Sequence, residues 1–402
     1  MNSTSGLPRQ PRRAFLARGG AATTLLLLQP KGVFGAEANS QVALGLIGCG
    51  GRGSWIAQLF AANGGYRWVA CADYFPDRVA AVGDRFQIAA DRRYTGLSAY
   101  QRLLASPLDA VVIETPPYFH PIHAAAAVEA GKHVYLAKPV GVDVPGCLKI
   151  AQAGQQATAK NLVFLVDFQT RANDLYREAL RRVRKGDLGP LVLGEASYPW
   201  AGGGRGLPPA DPEQRLRQWY YVLPLSGDFI VEQSVHALDV ATWILDAAPL
   251  RAAGVAGRKV RPQGSIMDHF AVTYWFPNDV SLAFACIQSI PEVKDEIRCR
   301  VFGAEGVIDT DYFGNVFIRG NEPFPGGNVG NLYTTGVQTN IREFHQFITT
   351  GNVANPTVAP SVRSTLTAIL GREAGYRGGE LSWDALLKEA KVLEPDLRGV
   401  KS

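Results

Sequence analysis

Up to residue 167, apolar residues gather in short unbroken runs separated by amphipathic stretches. The runs are Val42–Ile47, Trp68–Ala72, Asp109–Glu114, His133–Leu136 and Leu162–Asp167, with a shorter one at Arg93–Thr95. A brief run that is apolar throughout suits a strand covered on both faces of a parallel sheet. The intervening stretches, Ser54–Ala62, Pro76–Phe86, Leu97–Leu104, His120–Ala130 and Val144–Ala159, read as helices. Beyond Phe168 the texture changes. Asp174–Lys185 is a basic amphipathic helix closed by Gly186, Leu191–Tyr198 opens a strand, and Trp200–Gln218 reads as a long loop rich in Gly, Pro and Arg. Phe229–Leu245 reads as one helix. Alternating strands follow at Ala252–Val260, His269–Phe276, Val280–Ile287, Glu296–Phe302, Val307–Thr310 and Phe317–Arg319, then helices at Gln338–Thr349 and Ser361–Arg377. Period-2 alternation predicts a mostly antiparallel sheet with one face on helices and the other open.

The first run leads into Gly48, Gly50 and Gly53, the spacing G-x-G-x-x-G, and the second ends at Asp73, 20 residues after Gly53. In a strand–turn–helix context the first glycine allows the turn, the second lets backbone approach a pyrophosphate, and the third lets helix pack on strand. The acid is placed for an adenosine ribose. The fold class is therefore α/β: an N-terminal Rossmann domain with a parallel sheet, over 40–167, and a C-terminal α/β domain with a large, mostly antiparallel open sheet, over 168–402. Ligands of such sheets gather at the carboxyl ends of the strands. Those ends hold Gly48, Gly50, Gly51, Arg52, Gly53, Asp73, Glu114, Thr115, Pro116, Lys138 and Gln169. Asp73 favours NAD over NADP because a carboxylate repels a 2′-phosphate; Arg52 blunts that preference.

Composition is that of a globular chain, with 47% hydrophobic and 19% charged residues among 402, and a net charge of +5. Arg9, Arg12, Arg13, Arg18 and Lys31 all precede the first acid, so the remainder is near neutral and nothing points to nucleic acid. The same N-terminus carries Arg12-Arg13-Ala14-Phe15-Leu16, a short apolar stretch at Ala21–Leu28, and Ala36-Glu37-Ala38. It reads as a twin-arginine signal peptide over 1–38, too short in its apolar part to span a bilayer. Export by that machinery, to the periplasm, implies a dinucleotide bound before translocation and held tightly. The five cysteines, Cys49, Cys71, Cys147, Cys286 and Cys299, lie in apolar or glycine-rich settings and read as buried free thiols.

Three groups carry candidate chemistry. Lys138, before Pro139 at a strand's carboxyl end, is placed to stabilise an alkoxide or carbonyl oxygen. Glu232 and His236 are spaced i, i+4 and Asp239 follows three residues later, which suits a histidine base oriented by an acid; a metal site from the three is the lesser alternative. Arg215–Tyr221 (RLRQWYY) offers Arg217, Trp219, Tyr220 and Tyr221 to a sugar ring, or packs as a loop. His120 begins a helix near the nicotinamide end, and capping or packing is an equal reading. Gln169 and Arg171 end the last strand and reach toward cofactor or substrate. Asp268-His269 reads as a structural pair; His123, His133 and His345 carry no partner signal.

On Gly48–Gly53, Asp73, Thr115-Pro116-Pro117 with His120, Lys138-Pro139 and the Glu232/His236/Asp239 spacing, the chain resembles the Gfo/Idh/MocA oxidoreductases, relatives of glucose–fructose oxidoreductase and inositol dehydrogenase. The resemblance covers nearly everything after the N-terminal segment. It implies a Lys138/Glu232/His236 catalytic set acting on a sugar or polyol, a nicotinamide cofactor, and homo-oligomers formed through the open C-terminal sheet. Two positions depart from the family pattern: Ala137 replaces the glutamate of Glu-Lys-Pro, and Glu232 replaces an aspartate. The expected activity is hydride transfer between a sugar, sugar derivative or polyol and a tightly bound NAD or NADP. The alternatives are a redox-assisted glycoside hydrolase passing through a keto-sugar, and a non-catalytic sensor of sugar or NAD.

Overall fold

A computed structural model describes residues 41–261 and 263–402. The segment expected to be a twin-arginine signal, 1–38, lies outside the described residues. The first layer is built from β1 (Val42–Ile47), α1 (Gly51–Asn63), β2 (Tyr66–Asp73), α2 (Pro76–Arg85), β3 (Arg93–Thr95), α3 (Ala99–Leu104), β4 (Ala110–Ile113), α4 (His120–Glu129), β5 (His133–Ala137), α5 (Val144–Ala159) and β6 (Phe164–Asp167). The six strands form a parallel sheet in the order β3-β2-β1-β4-β5-β6. Strands β1 and β4 are buried at every position, which is why their sequences are apolar throughout. The chain runs outward from β1 to β3 and then crosses back to β4. The gap between β1 and β4 is thus the switch point at which such sheets bind ligands.

The second layer follows: α6 (Asp174–Lys185), β7 (Leu191–Trp200), α7 (Pro212–Arg217), α8 (Leu223–Ser226), α9 (Phe229–Glu232), α10 (Val235–Leu245), β8 (Arg251–Gly257), β9 (His269–Trp275), β10 (Ser281–Gln288), β11 (Arg298–Gly303), β12 (Gly306–Asp311), β13 (Asn315–Gly320), β14 (Phe324–Asn328), α11 (Leu332–Thr350), α12 (Val358–Arg377), β15 (Glu380–Ser382) and α13 (Trp383–Glu389). Its nine strands run β14-β13-β12-β11-β7-β10-β9-β8-β15, antiparallel except for the β7–β10 pair. Alternate residues such as Phe270, Val272, Tyr274, Leu282 and Phe284 are buried beneath the helices, while Leu193 and Val255 stay exposed. Helix α12 approaches this sheet through glycines. A Cβ on Gly371 would lie 1.9 Å from the Tyr274 hydroxyl, and one on Gly375 2.9 Å from the Phe270 ring.

Several boundaries differ from the sequence reading. Helix α1 starts at Gly51, inside the glycine turn. The stretch read as a loop over Trp200–Gln218 ends β7 and contains α7. Strand β14 (FPGGN) was hidden by its Pro and Gly, residues that ordinarily argue against a strand. The single helix expected over Phe229–Leu245 is broken between α9 and α10. Helix α11 leaves the second layer altogether: Val337, Ile341 and Phe344 join the core around β1 and α1, and the Tyr66 hydroxyl donates to the Ile341 carbonyl at 2.7 Å. All five cysteines are buried and unpaired. No helix among the described residues is long and apolar enough to cross a membrane.

Candidate dinucleotide and catalytic site

The glycine turn is shaped by what a side chain would strike. Gly48 has φ +98°, a left-handed conformation costly for other residues, and a Cβ there would meet the Glu114 backbone at 2.6 Å. A Cβ on Gly53 would sit 1.8 Å from the Gly48 carbonyl oxygen. Gly51 faces open space, and Gly50 faces only the Arg78 guanidinium at 3.5 Å. The outer glycines therefore allow close packing and the inner two leave room. Helix α1 has no side-chain cap and no acid in its first turn. Its first N–H groups are left to bind an anion, with the dipole behind them. Asp73, at the end of β2, accepts from the Cys49 N–H at 2.7 Å and the Phe75 N–H at 2.9 Å. Burial raises its carboxyl above the usual range, and each oxygen keeps capacity for a ribose hydroxyl. A crevice opens here, lined among others by Gly48, Gly50, Asp73, Thr115, Pro116 and Trp219. This is a cradle that fits a dinucleotide: the pyrophosphate on the turn and α1, the adenosine by Asp73.

Arg52 points into the fold. Its guanidinium donates to Asp167 at 2.7 Å and to the Tyr333 hydroxyl at 3.0 Å, and its Nε lies 3.3 Å from Glu114. The cation beside Gly50 and Asp73 is Arg78, so Arg78 rather than Arg52 bears on the adenosine end. Thr115 lines the crevice, its hydroxyl 3.2 Å from His123 Nδ1. His120 is buried behind the crevice lining, its ring nitrogens each 2.7 Å from a carbonyl oxygen, those of Pro139 and Thr115. Burial outweighs the pull of the two carbonyls and lowers the ring to about 4, so it stays neutral and donates to one of them. It ties the loop after β4 to the loop after β5. Gln169 is also buried, donating to Asp167 at 3.3 Å. Neither lines the crevice.

Lys138, at the carboxyl end of β5, donates to the Glu232 carbonyl oxygen at 2.6 Å and lies 3.1 Å from the Glu232 carboxylate. That contact explains the broken helix. The carbonyl that would accept from the His236 N–H is taken by lysine, and the His236 N–H turns to Gln233 at 3.2 Å. The expectation that Glu232 orients His236 and makes it more basic is therefore corrected. Glu232 pairs with Lys138, and His236 Nδ1 is buried without a partner. Burial, reinforced by the cations of Lys138 and Arg52, holds the ring well below its ordinary value, so it is neutral, with an unpartnered ring nitrogen, and a weaker base than an ordinary histidine until a substrate or cofactor changes its surroundings.

Asp239 does not reach His236 either. It is fully buried in a bidentate pair with Arg171, at 2.9 Å, and Arg171 also lies over the Trp243 ring. The RLRQWYY segment divides. Leu216 and Trp219 line the crevice by Phe75. Arg217 pairs with Asp77 at 3.0 Å and covers the Phe75 ring at 4.0 Å. Tyr220 donates to Gln288 at 2.7 Å, and Tyr221 lies under Arg261. The face that sequence offered to a sugar thus meets the adenosine end and the C-terminal sheet. Among the described residues no group of three His, Cys, Asp or Glu side chains is arranged to hold a metal.

Phe75, Arg78, His123 and Tyr333 belong to the site and carried no sequence signal; the first three follow the strand ends of β2 and β4, and Tyr333 is brought from the distant α11. The C-terminal segment does so too. Leu397 and Val400 pack with Phe75 and Leu216, Leu97 N–H donates to the Lys401 carbonyl at 3.2 Å, and Lys401 N–H donates to the Tyr74 hydroxyl at 3.1 Å.

Comparison with known proteins agrees with this geometry. Residues 42–167 match the profile of an oxidoreductase family with an NAD-binding Rossmann fold, and 176–309 match the GFO/IDH/MocA C-terminal domain. An inositol 2-dehydrogenase of Acidothermus cellulolyticus is 28% identical over 66% of this chain and 72% of its own length. A glycosyl hydrolase family 109 protein of Shewanella pealeana is 29% identical over 48% of this chain and 42% of its own, so the chain spans under half of that relative. The fold is shared with a levoglucosan dehydrogenase solved with NADH and levoglucosan (TM-score 0.69, 19% identity, 85% of this chain and 99% of that one). It is shared also with an aldose-aldose oxidoreductase from Caulobacter crescentus (TM-score 0.66, 21% identity, the same coverage). With a Rossmann crevice, a lysine at its fifth strand and both domain profiles matched in order, the chain belongs to the Gfo/Idh/MocA family of oxidoreductases.

Proposed function

We propose that this oxidoreductase transfers hydride between a hydroxyl-bearing carbon of a sugar, sugar derivative or polyol and a tightly held nicotinamide dinucleotide, NAD in preference to NADP. The observation that carries the reading is the meeting of Lys138, from the end of β5, with Glu232 and the neighbouring neutral His236 from the second layer. The nicotinamide ring, when bound, supplies the hydride acceptor. His236 takes the hydroxyl proton, for which a neutral ring is required. The Lys138 ammonium donates to the same oxygen and stabilises the charge that develops there. Glu232 holds the lysine. Asp73 would accept from the adenosine ribose, and the first N–H groups of α1 would hold the pyrophosphate. The matches to inositol dehydrogenases and to sugar-dehydrogenase structures support a sugar or polyol substrate.

The test is to purify the protein, measure co-purifying dinucleotide by absorbance, and follow reduced-nicotinamide fluorescence with a panel of sugars and polyols. Substrate-dependent reduction that falls by about 10²–10⁴-fold in Lys138→Ala and His236→Ala, with dinucleotide still bound, supports the proposal; undiminished turnover in both variants overturns it. The glycosyl hydrolase relatives favour a second reading, glycoside cleavage through a transient keto-sugar. Release of aglycone with no net change in nicotinamide redox state would select it, and silence towards every sugar would leave a sensor.

The twin-arginine pattern leads us to propose export to the periplasm with the cofactor already in place. The covering of the adenosine end by α7 and the C-terminal segment supports a tightly held cofactor. The open face of the nine-stranded sheet is proposed as a homo-oligomer contact.

A further inference from the structure

Glu114 follows β4 and lines the crevice, yet its side chain is only 1% exposed. Neither carboxylate oxygen has a hydrogen-bond partner. A buried carboxylate left without donors is costly unless nearby charge holds it. That charge comes from two neighbouring elements. Arg52, from α1, lies 3.3 Å away, spending its hydrogen bonds on Asp167 and Tyr333. Lys138, after β5, also draws Glu114 toward its charged form, while Asp167, from β6, opposes it. Desolvation outweighs them all and pushes the carboxyl up to about 7. Strands β4 and β5 pair in register through Ile113 and Leu136, so the next positions along the ladder are Glu114 and Ala137. Ala137 has no polar side chain to offer the lysine that follows it, and the carboxylate stands one strand away at the same level.

We propose that Glu114 is a positioning residue of the Lys138 centre, a second buried carboxylate beside that of Glu232 that acts from β4 through Lys138 and Arg52. This rests on the redox reading only for its effect on turnover. Removing a neighbouring negative charge favours the free amine of a lysine, and that effect is readable without any substrate.

The experiment compares wild type, Glu114→Ala, Ala137→Glu and the double variant, each with its co-purified dinucleotide. Acetylation of Lys138 by acetic anhydride is followed across pH by mass spectrometry, with thermal melting as a check on folding. The expected result is severalfold faster labelling of Lys138 in Glu114→Ala, and return to within about twofold of wild type when Ala137→Glu is added. In turnover of the active sugar, Glu114→Ala lowers kcat about tenfold or more with KM little changed, and the double variant recovers most of it. Unchanged labelling in Glu114→Ala, or a change that Ala137→Glu does not reverse, overturns the proposal. Should Glu114→Ala fold poorly, Glu114→Gln gives the same comparison with the side-chain volume kept. Labelling that responds as expected in a protein that oxidises no sugar would sink the dehydrogenase reading and leave the positioning role standing.

Discussion

His123 lies behind Thr115, stacked on Phe119, and burial lowers its ring to about 3. The unfolded chain takes up that proton near the ordinary value of about 6.5 while the folded chain does not. Stability held above about pH 6.5 is therefore lost as pH falls toward 3, by up to about 1.4 kcal/mol per pH unit. Glu114 and Asp228, raised to about 7 and about 6 by burial, work in the opposite direction. The comparison must therefore be between wild type and His123→Phe: acidification should lower the wild-type Tm more than the variant's, and parallel curves would show that the ring titrates normally. Two further side chains give predictions at this scale. Tyr274 buries its hydroxyl without a partner against Gly371, so Tyr274→Phe should be neutral or stabilising by about 1 kcal/mol in chemical denaturation. Gly53→Ala drives a methyl into the Gly48 carbonyl and should abolish dinucleotide retention, measured as loss of co-purifying absorbance.

Among the elements, the crevice owes its cover to parts far from the glycine turn. Helix α7 brings Leu216 over Phe75, and the segment after Leu393 lays Leu397 and Val400 on the same cluster. The Arg217–Asp77 pair is largely exposed and contributes little by itself; the apolar cover is the stronger part. Removing residues 394–402 should speed dinucleotide loss on gel filtration about tenfold, equivalent to about 1.4 kcal/mol. Retention unchanged by the truncation would move the cover's importance to α7 alone. The elements themselves were largely legible. The short apolar runs, spaced between amphipathic stretches, read as interior strands, and Gly48–Gly53 with Asp73 marked the crevice. The break between α9 and α10 was not legible, because periodicity carries no sign that a lysine nearly a hundred residues earlier will take the Glu232 carbonyl. The pairing of Asp239 with Arg171 escaped for the same reason: i, i+3 spacing to His236 suggested a local partner, and a guanidinium from the end of the first sheet took it.

For the whole molecule, the nine-stranded sheet leaves Ala271, Ala283, Ala285, Leu193 and Val255 on its uncovered face. Small and apolar positions across neighbouring strands suit a flat contact with a second copy. Ala285→Lys should shift the protein to a smaller species in light scattering with dinucleotide still bound, and an unchanged mass would exclude this face. What the sequence by itself determined is whatever depends on local rules. Apolar periodicity set the order of strands and helices, φ and close approach demanded glycines in the turn, and Lys138 and Asp73 were placed because strand ends in a parallel sheet converge. What only the tertiary structure decided is which charges meet: Lys138 with Glu232, Arg52 with Glu114 and Asp167, Arg171 with Asp239, and the C-terminal segment with Tyr74. Those pairings follow from desolvation. Once α11 and the second layer bury the strand ends, each charge must find its counter-charge across space, and sequence spacing says nothing of who stands opposite.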